Sequence, residues 1–178
     1  MKSAVFVSTL LPAIGAAQLS QAETASGTLG ILFSGAEYSL SLVVPSAALL
    51  GFEHPAVSED DRTMVAVAIS DLSKPLELFV VPSEAGCFTA TANVTLSGDA
   101  SELGGGASVQ NENAQRSSEF QADYVIQCQD IEALNAMEFA YFERFENTEK
   151  LQVQLERAEG SHSVDVTRAS PRLDLSGL

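Results

Sequence analysis

Two cysteines, Cys87 and Cys128, stand behind an N-terminus patterned for export, and each flanks a run that alternates like a β-strand. In an oxidising compartment a pair with no third cysteine favours one intramolecular bond; two buried free thiols are the alternative. A bond would close residues 88–127 into a loop, for which chain entropy gives an upper figure of about 4 kcal/mol. The spacing excludes a CxxC redox centre, and a cysteine-based tetrahedral zinc site needs more Cys or His than the chain carries. The pair therefore points to a small α+β domain stapled outside the cytosol.

The export reading rests on residues 1–22. Lys2 supplies a minimal positive start, Ala4 to Leu11 an apolar stretch, and Ser20-Gln21-Ala22 the small residues that precede a cleavage site. The apolar stretch is too short to cross a bilayer as a helix, and no later segment reaches that length without charges. A soluble, periplasmic mature chain from residue 23 to 178 is expected, forming one domain. The formal net charge of the full chain is −15, and cleavage would remove Lys2 and leave it one unit more negative. A surface this acidic repels nucleic-acid phosphates and anionic headgroups, so neither nucleic acid nor a membrane is expected as partner, whereas a divalent cation or a basic protein is compatible.

Along the mature chain, Thr28–Phe33 and Tyr38–Val44 read as an opening hairpin, the second arm with one wet face. Ser58 followed by Glu59, Asp60 and Asp61 predicts a helix start, and Val65, Ala68, Ile69 and Leu72 share its buried face; Lys74 and Pro75 end it. Leu76–Val81 reads as an apolar central strand. Phe88, Ala90, Ala92, Val94 and Leu96 predict a half-buried strand with those five residues inward. Ser97–Ser118, centred on Gly104-Gly105-Gly106, has no apolar period and reads as a mobile glycine-rich loop (97–118). Phe120–Cys128 alternates as a strand, Asp130 is placed to cap a second short helix over Ile131, Leu134 and Met137, and Glu138–Phe145 reads as a strand followed by a helical turn. Leu151–Leu155 and Val164–Val166 form the last hairpin, and Pro171–Leu175 an edge strand. The expected fold is a single α+β domain of mostly antiparallel strands with two short helices.

Chemistry is sparse. No GxSxG elbow or HExxH motif occurs, and no reduced cysteine stands beside a histidine, so an enzyme is not expected. Of the two histidines, His162 falls in the polar turn Gly160–Ser163. His54 follows Glu53 on a loop stiffened by Pro55, with Glu59, Asp60 and Asp61 near in sequence. An imidazole with carboxylates can take a divalent ion. The competing reading has Phe52 anchoring the loop while Glu53 and His54 satisfy local backbone groups.

The order of short motifs carries a further signal. Gly51-Phe52-Glu53-His54, the helix after it, Leu78-Phe79-Val80-Val81-Pro82, Ala85-Gly86-Cys87 and Ser118-Glu119-Phe120 through Tyr124 and Cys128 follow one another. After them come Phe142-x-x-Phe145, Leu151-Gln152-Val153-Gln154 and Pro171-Arg172-Leu173-Asp174-Leu175. From about Gly27 to the C-terminus this resembles the ZrgA family of periplasmic zinc-uptake accessory proteins. The resemblance implies export to the periplasm, a disulfide between Cys87 and Cys128, and zinc binding in the service of an envelope transport protein. Typical members carry a histidine motif before the first strand and a His- and Asp-rich loop between the cysteines. Here those stretches are Ala25–Thr28 and Ser101–Ser118, and neither holds a histidine. His54, with Glu53, is the matching position at which metal contact is expected. The function expected is a periplasmic metal-binding accessory protein for divalent metal, zinc by resemblance. The alternative is a metal-free relative acting as a protein-interaction module in the envelope.

Overall fold

Alternating apolar residues generate the framework seen in a computed structural model, which describes residues 26–97, 118–157 and 160–176. The export signal at 1–22 and all but the ends of the glycine-rich loop lie outside the described residues. Strands β1 (Ser26–Ser34) and β2 (Glu37–Pro45) form the expected hairpin. With β4 (Phe88–Ser97), β5 (Glu119–Gln127), β7 (Lys150–Arg157) and β8 (Gly160–Thr167) they build a six-stranded sheet in the order β4-β5-β2-β1-β7-β8. Every pairing is antiparallel except β1 with β7, which is parallel.

One face of this sheet is the core wall. Leu29 and Ile31 of β1, Tyr38, Leu40 and Leu42 of β2, Phe120, Tyr124 and Ile126 of β5, and Leu151, Val153 and Leu155 of β7 are buried on it. The alternate residues face water, as a one-sided antiparallel sheet allows. Gly27 is required by packing: a Cβ there would stand 2.7 Å from Val44 Cγ2 and 2.9 Å from the Val43 carbonyl oxygen.

Helix α2 (Glu59–Leu72) lies over the core through Ala68 and Leu72, with Val65 and Ile69 half-buried beside them. Its start is the expected one. Ser58 Oγ accepts from the Asp61 amide, and Asp61 Oδ2 accepts from the Ser58 amide, a complete capping box. A small second sheet of β3 (Phe79–Val80), β6 (Ala136–Phe139) and β9 (Arg172–Asp174), in the order β3-β6-β9, completes the layer. It contributes an aromatic cluster with α4 (Tyr141–Arg144), in which Phe79 meets Phe139 edge-on at 5.5 Å and stacks on Tyr141 at 5.9 Å. Cys87 and Cys128 form a disulfide. They are the next opposed pair beyond Phe88 and Gln127, at the base of the β4–β5 ladder. Among the described residues no helix is long and apolar enough to cross a membrane.

Three local expectations need correction. Leu76–Val81 is not a central strand: Pro75 opens a helical turn, α3 (Pro75–Leu78), and only Phe79 and Val80 pair, at the edge of the small sheet. Proline at the first helical position is pre-set for helical φ. The second predicted helix after Asp130 does not form. Asp130 Oδ1 accepts from the Glu132 and Ala133 amides in a turn, and the chain goes straight into β6. Finally, a bulge between Thr89 and Thr91 reverses the facing of β4's first residues, so Phe88 is 52% exposed instead of inward. A short helix not anticipated, α1 (Ser46–Leu50), follows β2 directly.

Two buried tyrosines yield a matched prediction. Tyr124 Oη donates to the Leu72 carbonyl at 2.7 Å, tying β5 to the end of α2. Tyr38 Oη, equally enclosed, has no hydrogen-bond partner among the described residues. Tyr124→Phe is expected to cost about 1 kcal/mol in urea denaturation, and Tyr38→Phe to be neutral or stabilising. Equal losses in the two variants would contradict these hydrogen-bond assignments.

Candidate functional site

The loop between α1 and α2 carries the candidate ligands. It leaves α1 through Gly51, whose φ of +80° suits glycine and whose Cα faces the Asn147 side chain. Phe52 is half-buried and packs on the core. His54 stacks on Phe52, with ring centroids 4.4 Å apart and planes 11° from parallel. Its Nδ1 lies 3.1 Å from the Pro55 carbonyl oxygen. A hydrogen bond there puts the proton on Nδ1, which leaves Nε2 as the lone-pair nitrogen. The imidazole is exposed, and so is Glu53.

The loop thus combines both readings of these residues. Phe52 is the anchor and His54 does meet a local carbonyl, while the His54 side chain stays exposed. Of the nearby acids, Asp61 is held by the capping box. The Ser58 hydrogen bond lowers its carboxyl below the ordinary range. Glu59 and Asp60 project from the first turn of α2 and are exposed. Among the described residues no group of three or more His, Cys, Asp or Glu side chains is placed to hold a metal ion. His162 lies on β8, opposite Leu155, on a different element from His54.

Features that sequence reasoning missed lie away from this loop. Asp71 at the end of α2 accepts two hydrogen bonds from Arg144 of α4, at 2.6 and 2.7 Å, inside a cleft also lined by Lys74, Glu77 and Glu143. The two partners are far apart in sequence, so spacing gives no sign of the pair. Arg157 lies over the Phe33 ring, 4.5 Å from its centroid, and donates to the Leu175 carbonyl in a second open cleft. In both clefts the arginine is joined to protein partners.

No curated protein matches this chain. A family model described as ZrgA family zinc uptake protein matches residues 21–175. That span covers the six-stranded sheet, the disulfide and the Phe52–His54 loop together, and it bears out the resemblance carried by the motif order. The chain belongs to the ZrgA family of zinc uptake proteins.

Proposed function

We propose that this protein is an exported, periplasmic accessory to divalent-metal uptake, with zinc as the cargo and an envelope transport protein as the recipient. The family match over residues 21–175 carries the reading. The Phe52–His54 stack supports it by fixing an exposed imidazole on the same loop as the exposed Glu53. The net charge of −15 raises the local concentration of cations at the surface. Zinc takes four ligands in closed protein sites. A chain that supplies His54 and Glu53 leaves the remaining positions to water or to the recipient, and such a partial shell suits an ion that is to be handed on. The chain acts in this reading as a carrier without chemistry of its own.

The test is calorimetric titration of the purified protein with zinc, beside His54→Ala. Saturable heat is expected, with affinity falling about tenfold or more in His54→Ala. Tight binding untouched by His54→Ala would move the site off this loop. The lack of any three-residue ligand group among the described residues favours a second reading, a metal-free interaction module. That reading gains if zinc gives no saturable heat at micromolar concentration.

A further inference from the structure

The two edges of the six-stranded sheet are built differently. At one edge, β4 carries the bulge between Thr89 and Thr91, and α2 and α3 lie against it. Bulges and covering helices are the usual protection of an open ladder. At the other edge, β8 pairs with β7 through eight unbroken register positions, from Gly160 opposite Arg157 to Thr167 opposite Lys150. It contains no proline and no lysine. Its one carboxylate, Asp165, is 3.1 Å from Lys150 Nζ. Among the described residues no strand pairs with its outer side. At the end of β8 the chain turns back, and the Ser170 amide donates to the Thr167 carbonyl.

The core row also runs out at this edge. Leu42, Leu29, Val153 and Val164 are successive partners across β2, β1, β7 and β8. The first three are wholly buried, whereas Val164 is 40% exposed.

We propose that the outer edge of β8, Gly160–Val166, pairs antiparallel with the same edge of a second copy, joining two six-stranded sheets across a two-fold axis. Antiparallel edge pairing is self-complementary by geometry, so a second copy presents a strand that fits this edge. Side chains choose the register. With Val164 of one copy opposite Val164 of the other, the core row continues through both molecules, and each Asp165 faces Ser163 of the other copy. A slip to Ser163 opposite Ser163 sets Asp165 against Ser161, whose β7 partner is Glu156 on the same face, and brings like charges within about two strand spacings, ~10 Å. The net charge of −15 opposes association at long range. Screening by salt therefore strengthens this dimer, opposite to the behaviour of a contact built on ion pairs.

The experiment is sedimentation equilibrium of the purified protein across ~1 to ~500 µM, at low and at moderate salt. The expected result is reversible dimerisation that increases with salt. Val164→Lys should raise the dissociation constant about tenfold or more with an unchanged circular dichroism spectrum, while Thr95→Lys on β4 should leave it unaltered. As a readout that needs no variant, amide exchange of residues 160–166 should slow as protein concentration rises. A monomer at every concentration, dimerisation indifferent to Val164→Lys, or exchange of β8 amides independent of concentration would each overturn the proposal. None of these outcomes bears on zinc binding at His54.

Discussion

Reducing the Cys87–Cys128 bond is expected to lower the melting temperature by about 10 °C. The bond closes residues 88–127, and removing it restores to the unfolded chain the freedom of that loop, about 4 kcal/mol by chain entropy. For a domain of this length each kcal/mol corresponds to about 2–4 °C. The position of the bond adds a local effect. It lies at the base of the β4–β5 ladder, beside the Ala85 carbonyl that accepts from the Gln129 and Asp130 amides. On β4, Ala92, Val94 and Leu96 are only half-buried and none of its residues is fully buried, so side chains hold this strand to the sheet weakly. Amide exchange in the reduced protein should accelerate first in residues 88–97, while β1, β2 and β7 keep their protection. Differential scanning calorimetry with and without reductant, with intact mass reporting two free thiols, measures the outcome. A melting temperature unchanged within about 2 °C in the verified dithiol would remove the bond from the list of major stabilising contacts.

The strands that were plain in the sequence are those whose alternation has one buried face: β2, β5 and β7 each bury every second residue. Alternation does not encode pairing direction, so nothing in β1 or β7 marks their contact as parallel. Nor does it reveal a bulge. Phe88 keeps the period of Ala92 and Val94 on paper, and only the extra residue at Ala90 puts it on the other face. Leu76–Val81 was misread because a short apolar run suits a buried turn of helix as well as a strand, and Pro75 decides between them. Asp130 was misread for a related reason, since one side-chain oxygen accepting from the next two or three amides serves both a helix cap and a turn. At the candidate site the residue types and the rigid loop were legible. The stack of His54 on Phe52 was not, because ring orientation depends on how the loop lies on the core.

Arg168 had no legible role, and its replacement by alanine is expected to be the most damaging single change outside the hydrophobic core, at about 3 kcal/mol. Its guanidinium, reaching back from beyond the end of β8, donates through Nη1 to the Phe142 carbonyl oxygen and shares the two Nη2 hydrogens among those of Phe145, Glu146 and Thr148. The first two belong to α4 and its C-terminal cap, whose final carbonyls lack partners within the helix. Charge-assisted bonds of this kind are each worth about 1.5–3 kcal/mol, and the total is discounted because the Arg168 side chain is 32% exposed and water replaces part of what is lost. Arg168→Lys should recover only part of the loss, because a single ammonium nitrogen cannot serve the Phe142 carbonyl, met by Nη1, together with the three carbonyls gathered around Nη2. Arg172→Ala, which breaks the exposed pair with Glu138, is the control and should cost no more than about 0.5 kcal/mol. The consequence extends to the Phe52–His54 loop. The segment held by Arg168 includes Thr148, whose Oγ1 donates to the Ala48 carbonyl at 2.9 Å, and Asn147, whose side chain lies beneath Gly51. Through α1 and Gly51 that segment sets where the Phe52–His54 stack begins. Urea denaturation of Arg168→Ala, Arg168→Lys and Arg172→Ala measures the stability order, and a cost for Arg168→Ala within about 0.5 kcal/mol of the control would show that water satisfies those carbonyls as well as the guanidinium does.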